Sequence, residues 1–325
     1  MIHIVVAAGH EYTLRALLDP ELRLRPLPLT IWTYSELFVQ PELPGGTWIF
    51  SDLERLAVWE LQLASHMALL MREAGPAFKV LNDPARAAGR YELLLRLHGD
   101  GFNRFRAWRA EDGLPPARYP VFVRTESDHG WPLSDLIHTP EVLASALAGA
   151  ERLGIPKRGL LIIEFEAEAI APGVYRKYGA YRIGDRIVAD HMVHDVSWAA
   201  KYGNPEAWND ERYAEEAEYV RDNPHEEALR IAFELGGIDY GRADYGMVGG
   251  RPQVWEINTN PFIPGGNVAS SPPQRAEATL RSRENRWAAL EALDTTADGV
   301  FVEMTSDRLD HHRVRQQAGR EPIRP

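Results

Sequence analysis

With 325 residues and no cysteine, the chain can bury about 75% of its unfolded surface without a disulfide framework or thiolate zinc site, and it carries no cysteine nucleophile. Its 36 basic and 47 acidic side chains leave a formal charge of -11 at pH 7, which argues against holding long nucleic acid by counterion release. No apolar run approaches 18 residues and the apolar N-terminus lacks a basic flank, so the expectation is a soluble, cytoplasmic protein without membrane contact.

Residues 1–8 predict a short buried strand, followed by a polar turn and a helix, as many α/β domains begin. A strand at 47–50 leads into a helix for which Ser51 and Glu54 have capping-box spacing. Leu56, Trp59, Leu63, Met67, Leu70 and Met71 then recur at helical spacing as a core stripe until Gly75. After a strand at 78–81, Asp83 can cap and Pro84 can open a helix running to Leu97. The Gly/Pro-rich stretch 112–116 and the following strand 119–124, which ends in a polar loop at 125–130, mark a domain boundary. A helix at 140–153 and a strand at 159–165 complete a small α/β unit.

Residues 175–183 and 186–193 flank the turn Gly184-Asp185 and read as a hairpin. The stretch 204–234 holds ten acids and three Arg, the composition of a solvated face on a helical segment at 210–235. Strands are expected at 238–248 and 253–257, joined through Gly249-Gly250-Arg251-Pro252. From Asp307 the sequence is polar and Arg-rich without apolar periodicity, and reads as a frayed tail.

The chemistry concentrates in the last two of those strands. Pairing them places Asp244 beside Glu256 and Asn258, and the last two, two positions apart on one strand, point the same way. Hard oxygen donors of this kind suit Mg²⁺, which prefers a few protein oxygens together with substrate phosphates. Carboxylates within otherwise apolar strands are costly to bury unpaired, and a metal ion removes that cost.

Asp244 followed by Glu256-Ile257-Asn258 and then Pro261 resembles the magnesium site of the ATP-grasp superfamily, and Arg242-Ala243-Asp244 is similar to the Arg-x-Asp of D-alanine–D-alanine ligases. The resemblance spans about residues 81–262 and implies an α/β (α+β) ATP-grasp fold behind an N-terminal pre-ATP-grasp α/β domain. It divides the chain into 1–80, an ATP-grasp domain at 81–304 with subdomains 116–165 and 166–304, and a tail at 305–325. By the same resemblance Asp244, Glu256 and Asn258 would hold Mg²⁺, and Arg242 would stabilise the acyl-phosphate and tetrahedral species. Arg124 and Lys177 match the two positions that hold the ATP phosphates, Lys177 also being placed as catalytic. Glu164, Phe165 and Glu166 follow the strand expected to meet adenine and ribose, with the ribose acid left open between the two Glu. With four lysines in the chain, one at position 177 stands out.

Two features depart from the family pattern. The phosphate-covering loop is usually Gly-rich, whereas Ser127-Asp128-His129-Gly130 has one Gly and an acid, so His129 is the candidate donor in place of backbone amides. Position 124 is Arg where Lys is commoner, and a guanidinium meets phosphate as a planar fork. The resulting expectation is a carboxylate-amine ligase acting through an acyl-phosphate on small-molecule or peptide substrates, with homodimerisation left open. A kinase with a hydroxyl acceptor and an inactive nucleotide-binding regulator are the competing readings. His191 and His194 lie on opposite sides of a strand and do not form a transition-metal pair, and no Gly-x-Ser-x-Gly elbow occurs.

Overall fold

The computed structural model describes residues 1–266, 272–295, 297 and 299–318. In chain order the first half contains β1 (Ile2–Val6), α1 (Arg15–Leu18), β2 (Leu29–Thr33), α2 (Tyr34–Leu37), β3 (Glu42–Pro44), β4 (Gly46–Phe50), α3 (Val58–Glu73), β5 (Phe78–Leu81), α4 (Arg90–Gly99), β6 (Ala107–Arg109), β7 (Val121–Thr125), α5 (Pro140–Arg152) and β8 (Leu160–Glu164). The second half contains β9 (Ala169–Ala171), β10 (Val174–Ile183), β11 (Arg186–Asp195), α6 (Asp210–Asp222), α7 (Glu226–Gly236), β12 (Tyr240–Val248), β13 (Arg251–Asn258), α8 (Pro273–Glu291), β14 (Phe301–Glu303) and α9 (Asp307–Ala318).

Three sheets of three or more strands organise most of these elements, with β3 and β14 forming a separate pair. A parallel sheet ordered β2-β1-β4-β5 forms the N-terminal layer, its central strands β1 and β4 buried along their whole length and β2 and β5 at its edges. A three-stranded antiparallel sheet, β6-β8-β7, packs Val121, Val123, Leu160 and Ile162 against Leu143 of α5. The third sheet, β11-β10-β12-β13, is antiparallel throughout, with β9 paired to β10. One buried cluster joins the first and third sheets, since Ile2, Ile4 and Ile49 share it with Tyr181, Ile183, Tyr240 and Trp287. The first 80 residues therefore share a core with the chain that follows.

Several local expectations are corrected. Ser51 and Glu54 do not cap a helix: Asp52 is left-handed at φ 56°, α3 begins at Val58, and the capping partner is Glu60, whose carboxylate accepts from the Ala57 N–H. The helix expected from Pro84 begins instead at Arg90, after a turn in which Asp83 accepts from the Ala85 N–H. The acidic helical segment is two helices, broken where Asn223 adopts φ 44° ahead of Pro224. Its face is not wholly solvated, for Glu216 is buried against Arg275 and the Met192 N–H.

The expected tail is also structured over 307–318, as α9. Leu309 is fully buried in the same cluster as Phe38 and Met304, His312 stacks on Trp59, and β14 pairs with β3 ahead of it. Its sequence lacks an obvious stripe because one buried leucine and one stacked imidazole do the anchoring. Residues 319–325 of the expected tail lie outside the described residues.

Candidate functional site

The second and third sheets face each other across a cleft of about 470 Å³. Its floor is set by strand register. Gly179 of β10 is paired with His191 of β11 on one side and with Asp244 of β12 on the other, and Asp244 is paired with Glu256 of β13. Directly paired residues share a sheet face, so His191, Gly179, Asp244 and Glu256 form one row into the cleft. Two residues along, Arg242 is paired with Asn258. The sequence-derived trio Asp244, Glu256 and Asn258 is thus brought together on one surface.

Each carboxylate of that row is met by at least two cations. Asp244 accepts from Lys177 Nζ at 2.9 Å and from Arg242 Nε at 2.9 Å. Glu256 accepts from Arg90 Nη2 at 2.5 Å, with Arg124 Nη2 at 3.4 Å. Burial opposes the charge on Asp244, but Arg242 and Lys177 outweigh it and hold its pKa down at about 2. The same balance, with Arg90, His129 and Arg124 as the winning groups, keeps Glu256 well below the usual carboxylate range. Both acids are therefore ionised, acceptor-only groups at neutral pH.

His129 reaches Glu54 through Nε2 at 2.9 Å and lies 3.8 Å from Glu256 through Nδ1. Burial disfavours the imidazolium, yet these two carboxylates raise its pKa to about 9. Glu54 in turn accepts from Thr259 Oγ1 at 3.1 Å, which ties the N-terminal layer to the end of β13. The loop carrying His129 is fixed from below by Arg90, which donates to the carbonyls of Thr125, Glu126 and Asp128. Arg124 donates to the Asp128 carbonyl as well, and Lys201 to that of His129. Cationic side chains turn these carbonyls inward, so a loop with one glycine holds its shape.

The other end of the cleft is aromatic. Phe165 meets Trp198 edge-on with ring centroids 5.6 Å apart, and Phe122 lies 5.0 Å from Trp198. Trp255 donates from Nε1 to the Glu166 carbonyl at 3.1 Å. Glu164 and Glu166, between which the ribose acid was left open, both hold Arg118: Glu164 at 3.0 Å and Glu166 at 2.6 Å. Glu164 also accepts from the Arg106 and Arg118 N–H groups and is almost wholly buried. Its carboxylate is committed to joining β6 and the 118 segment to β8.

Four contributors were not assigned to the site from the sequence: Arg90, Glu54, Lys201 and Trp198. The scarcity of lysine that pointed to Lys177 applied equally to Lys201. Glu54 carried a signal that was assigned to a helix cap. Arg90 carried none, because it reaches Glu256 across 166 positions of chain.

The donor set can be tested for Mg²⁺. Two opposed carboxylates and one carboxamide are hard oxygen ligands on adjacent strands, and both acids are held ionised despite burial, which fits a divalent cation that also binds phosphate oxygens. Among the described residues no group of three or more His, Asp and Glu side chains is arranged to hold a metal by itself. The cations already on the two acids give the pocket the charge to take a polyanion and a metal together. A wider, shallower groove of about 970 Å³ between α3 and α9 shares no residue with this cleft.

The molecule is thus an α/β protein with a charged cleft between two antiparallel sheets. No protein-family model matches the chain, and no curated protein matches it. Solved structures do. The chain is similar in fold to a D-alanine–D-alanine ligase from Bacillus anthracis complexed with ATP, at 11% identity and a TM-score of 0.48 over 98% of this chain and 99% of that one. It is similar to the D-alanine–D-alanine ligase from Coxiella burnetii at 13% identity and a TM-score of 0.48, covering 98% of each chain. A RimK domain ATP-grasp protein from Sphaerobacter thermophilus matches at 15% identity and a TM-score of 0.46, over 90% of this chain and 97% of that chain. At these identities and TM-scores no residue takes its role from the likeness, and the site stands on its own geometry. No helix among the described residues is long and apolar enough to cross a membrane.

Proposed function

We propose that the protein is an ATP-dependent ligase of the ATP-grasp kind, joining a carboxylate to an amine through an acyl-phosphate. The observation that carries this reading is the pair of opposed, ionised carboxylates, Asp244 and Glu256, each met by two or more cations at the floor of the cleft. Mg²⁺ bound at Asp244, Glu256 and Asn258 would supply charge neutralisation at the phosphates. Arg124 and Lys177 would bind the phosphate oxygens, and Phe165, Trp198 and Phe122 would flank the base. Arg242, anchored on Asp244, would face charge developing on the transferred group and on the tetrahedral species. No protein nucleophile is needed, and catalysis would come from electrostatics and positioning.

The test is the fate of the γ-phosphate. Carboxylate and amine pairs are screened with MgATP, and products are followed by phosphorus NMR, with hydroxylamine added to trap an acyl-phosphate. Release of inorganic phosphate with hydroxamate formation in the presence of the carboxylate supports the ligase. Phosphate retained on a hydroxyl acceptor would make the protein a kinase, and absence of acceptor-stimulated ADP would make it a nucleotide-binding regulator.

A further inference from the structure

His191 lies in the same row as Asp244 and Glu256, but nothing in the proposed nucleotide chemistry uses it. Its ring sits over Gly179, where a Cβ would approach His191 Cε1 to 2.6 Å, so the imidazole occupies the space that the missing side chain leaves. It lines the cleft with a side chain that is 24% exposed. Its Nδ1 is 2.5 Å from Asp190 Oδ2. The other oxygen of Asp190 accepts from Ser282 Oγ at 2.7 Å and pairs with Arg286, both on α8. Arg286 also donates to Ser282 Oγ at 2.8 Å, and Asp190, Ser282 and Arg286 are all buried.

This arrangement fixes the tautomer. A carboxylate paired with a guanidinium can only accept, so Nδ1 carries the hydrogen and Nε2 presents a lone pair. Burial, reinforced by the charges of Arg242 and Lys177, pushes the imidazole pKa down to about 3, which keeps the ring neutral. Among the described residues Nε2 has no hydrogen-bond partner. A neutral acceptor nitrogen gives nothing to phosphate or carboxylate oxygens, whose lone pairs it faces with its own. It matches a ligand that brings a hydrogen.

We propose that His191 Nε2 accepts a hydrogen bond from the N–H of the uncharged amine substrate and orients that nitrogen's lone pair toward the acyl carbon, with Asp190 as the positioning residue behind it. This rests on the ligase reading and adds where the amine sits: against β11 and Gly179, on the side of Asp244 away from Glu256. The acceptor is thereby a primary or secondary amine, since a tertiary amine has no hydrogen to offer.

Three variants test it. In H191F, kcat/KM for the amine falls about 10- to 100-fold, as for loss of a hydrogen bond that leaves a donor unsatisfied, while KM for ATP changes under about threefold. H191Q, whose side-chain oxygen can stand near Nε2, recovers part of the loss. In D190N, Arg286 and Ser282 hold the carboxamide oxygen, so its NH₂ faces the imidazole and reverses the tautomer, and amine turnover falls although the ring remains. Nitrogen NMR of the unmutated protein reads the tautomer directly, independent of any substrate and of whether D190N folds. A protonated Nδ1 with a bare Nε2 is expected, and a protonated Nε2 overturns the proposal. Unchanged amine kcat/KM in H191F overturns it too, with the ligase reading intact. If the unmutated protein shows no ADP release that depends on carboxylate and amine, the ligase reading itself fails and the proposal with it.

Discussion

Arg90 is the residue on which the most contacts converge. It is 6% exposed and joins Glu256, His129 and three loop carbonyls. Breaking a buried ion pair from one side typically costs about 3–5 kcal/mol; here Glu256 keeps Arg124 and His129, while the three loop carbonyls lose their donor. R90M is therefore expected to lower unfolding free energy by roughly that amount in urea titrations, and R90M with E256M to lose less than the sum of the single changes. Equal and additive losses would mean that Arg90 and Glu256 act separately.

The buried histidines give a second residue-scale expectation. Burial pushes His3 down to about 4, and burial together with Arg176 does the same to His194. Both rings have nitrogens without a partner among the described residues. As pH falls from about 6.5 toward 4 the unfolded chain takes up protons that the folded chain refuses, so stability is present at neutral pH and declines across that window. Thermal midpoints at pH 7.5 and 5 check the sign, and His194→Phe should flatten the dependence. Glu256 and Asn258 were legible at this scale because residues two apart on a strand share a face. Asp244 needed in addition the expected pairing of the two strands, and Arg124, Lys177 and Arg242 the family resemblance, whereas Arg90 and Glu54 acquire their roles through contacts between distant parts of the chain.

At the scale of elements, the longer apolar strands were readable, whereas β2, β3, β6, β9 and β14 were not expected and the helix boundaries were displaced. Hairpin β10–β11 and the pair β12–β13 follow their apolar runs and Gly turns. By contrast α8, whose Ser282 and Arg286 support Asp190, has polar and basic residues at buried positions and so carries no apolar stripe. The same reason hid α9, where Leu309 is the buried anchor. Leu309→Ala should cost about 2–5 kcal/mol by chemical denaturation if α9 packs as described, since it empties a filled core position. A change within about 0.5 kcal/mol, the range of surface substitutions, would return residues 307–318 to the tail that their composition suggests.

Over the whole molecule, the charge of -11 does not describe the cleft, where Arg90, Arg124, Lys177 and Arg242 surround two acids. The shared core of Ile2, Ile49, Tyr181 and Trp287 holds the first and third sheets together. A ligand that binds only the folded state stabilises it, by about 2.7 kcal/mol at a hundredfold excess over Kd. MgATP should accordingly raise the thermal midpoint, and ATP with EDTA should raise it less, because the cations at Asp244 and Glu256 remain engaged there.

The central claim is that Asp244 and Glu256 convert a buried charge cluster into a MgATP site. The measurement that reaches it most directly is ADP formation with carboxylate and amine pairs, run in parallel on the unmutated protein and Glu256→Ala, with MgATP affinity measured for both. The expected result is ADP release that requires Mg²⁺ and both substrates, and that falls at least about 100-fold in the variant, the scale of losing one preorganised electrostatic contact. Equal ADP release by the two proteins would contradict the site.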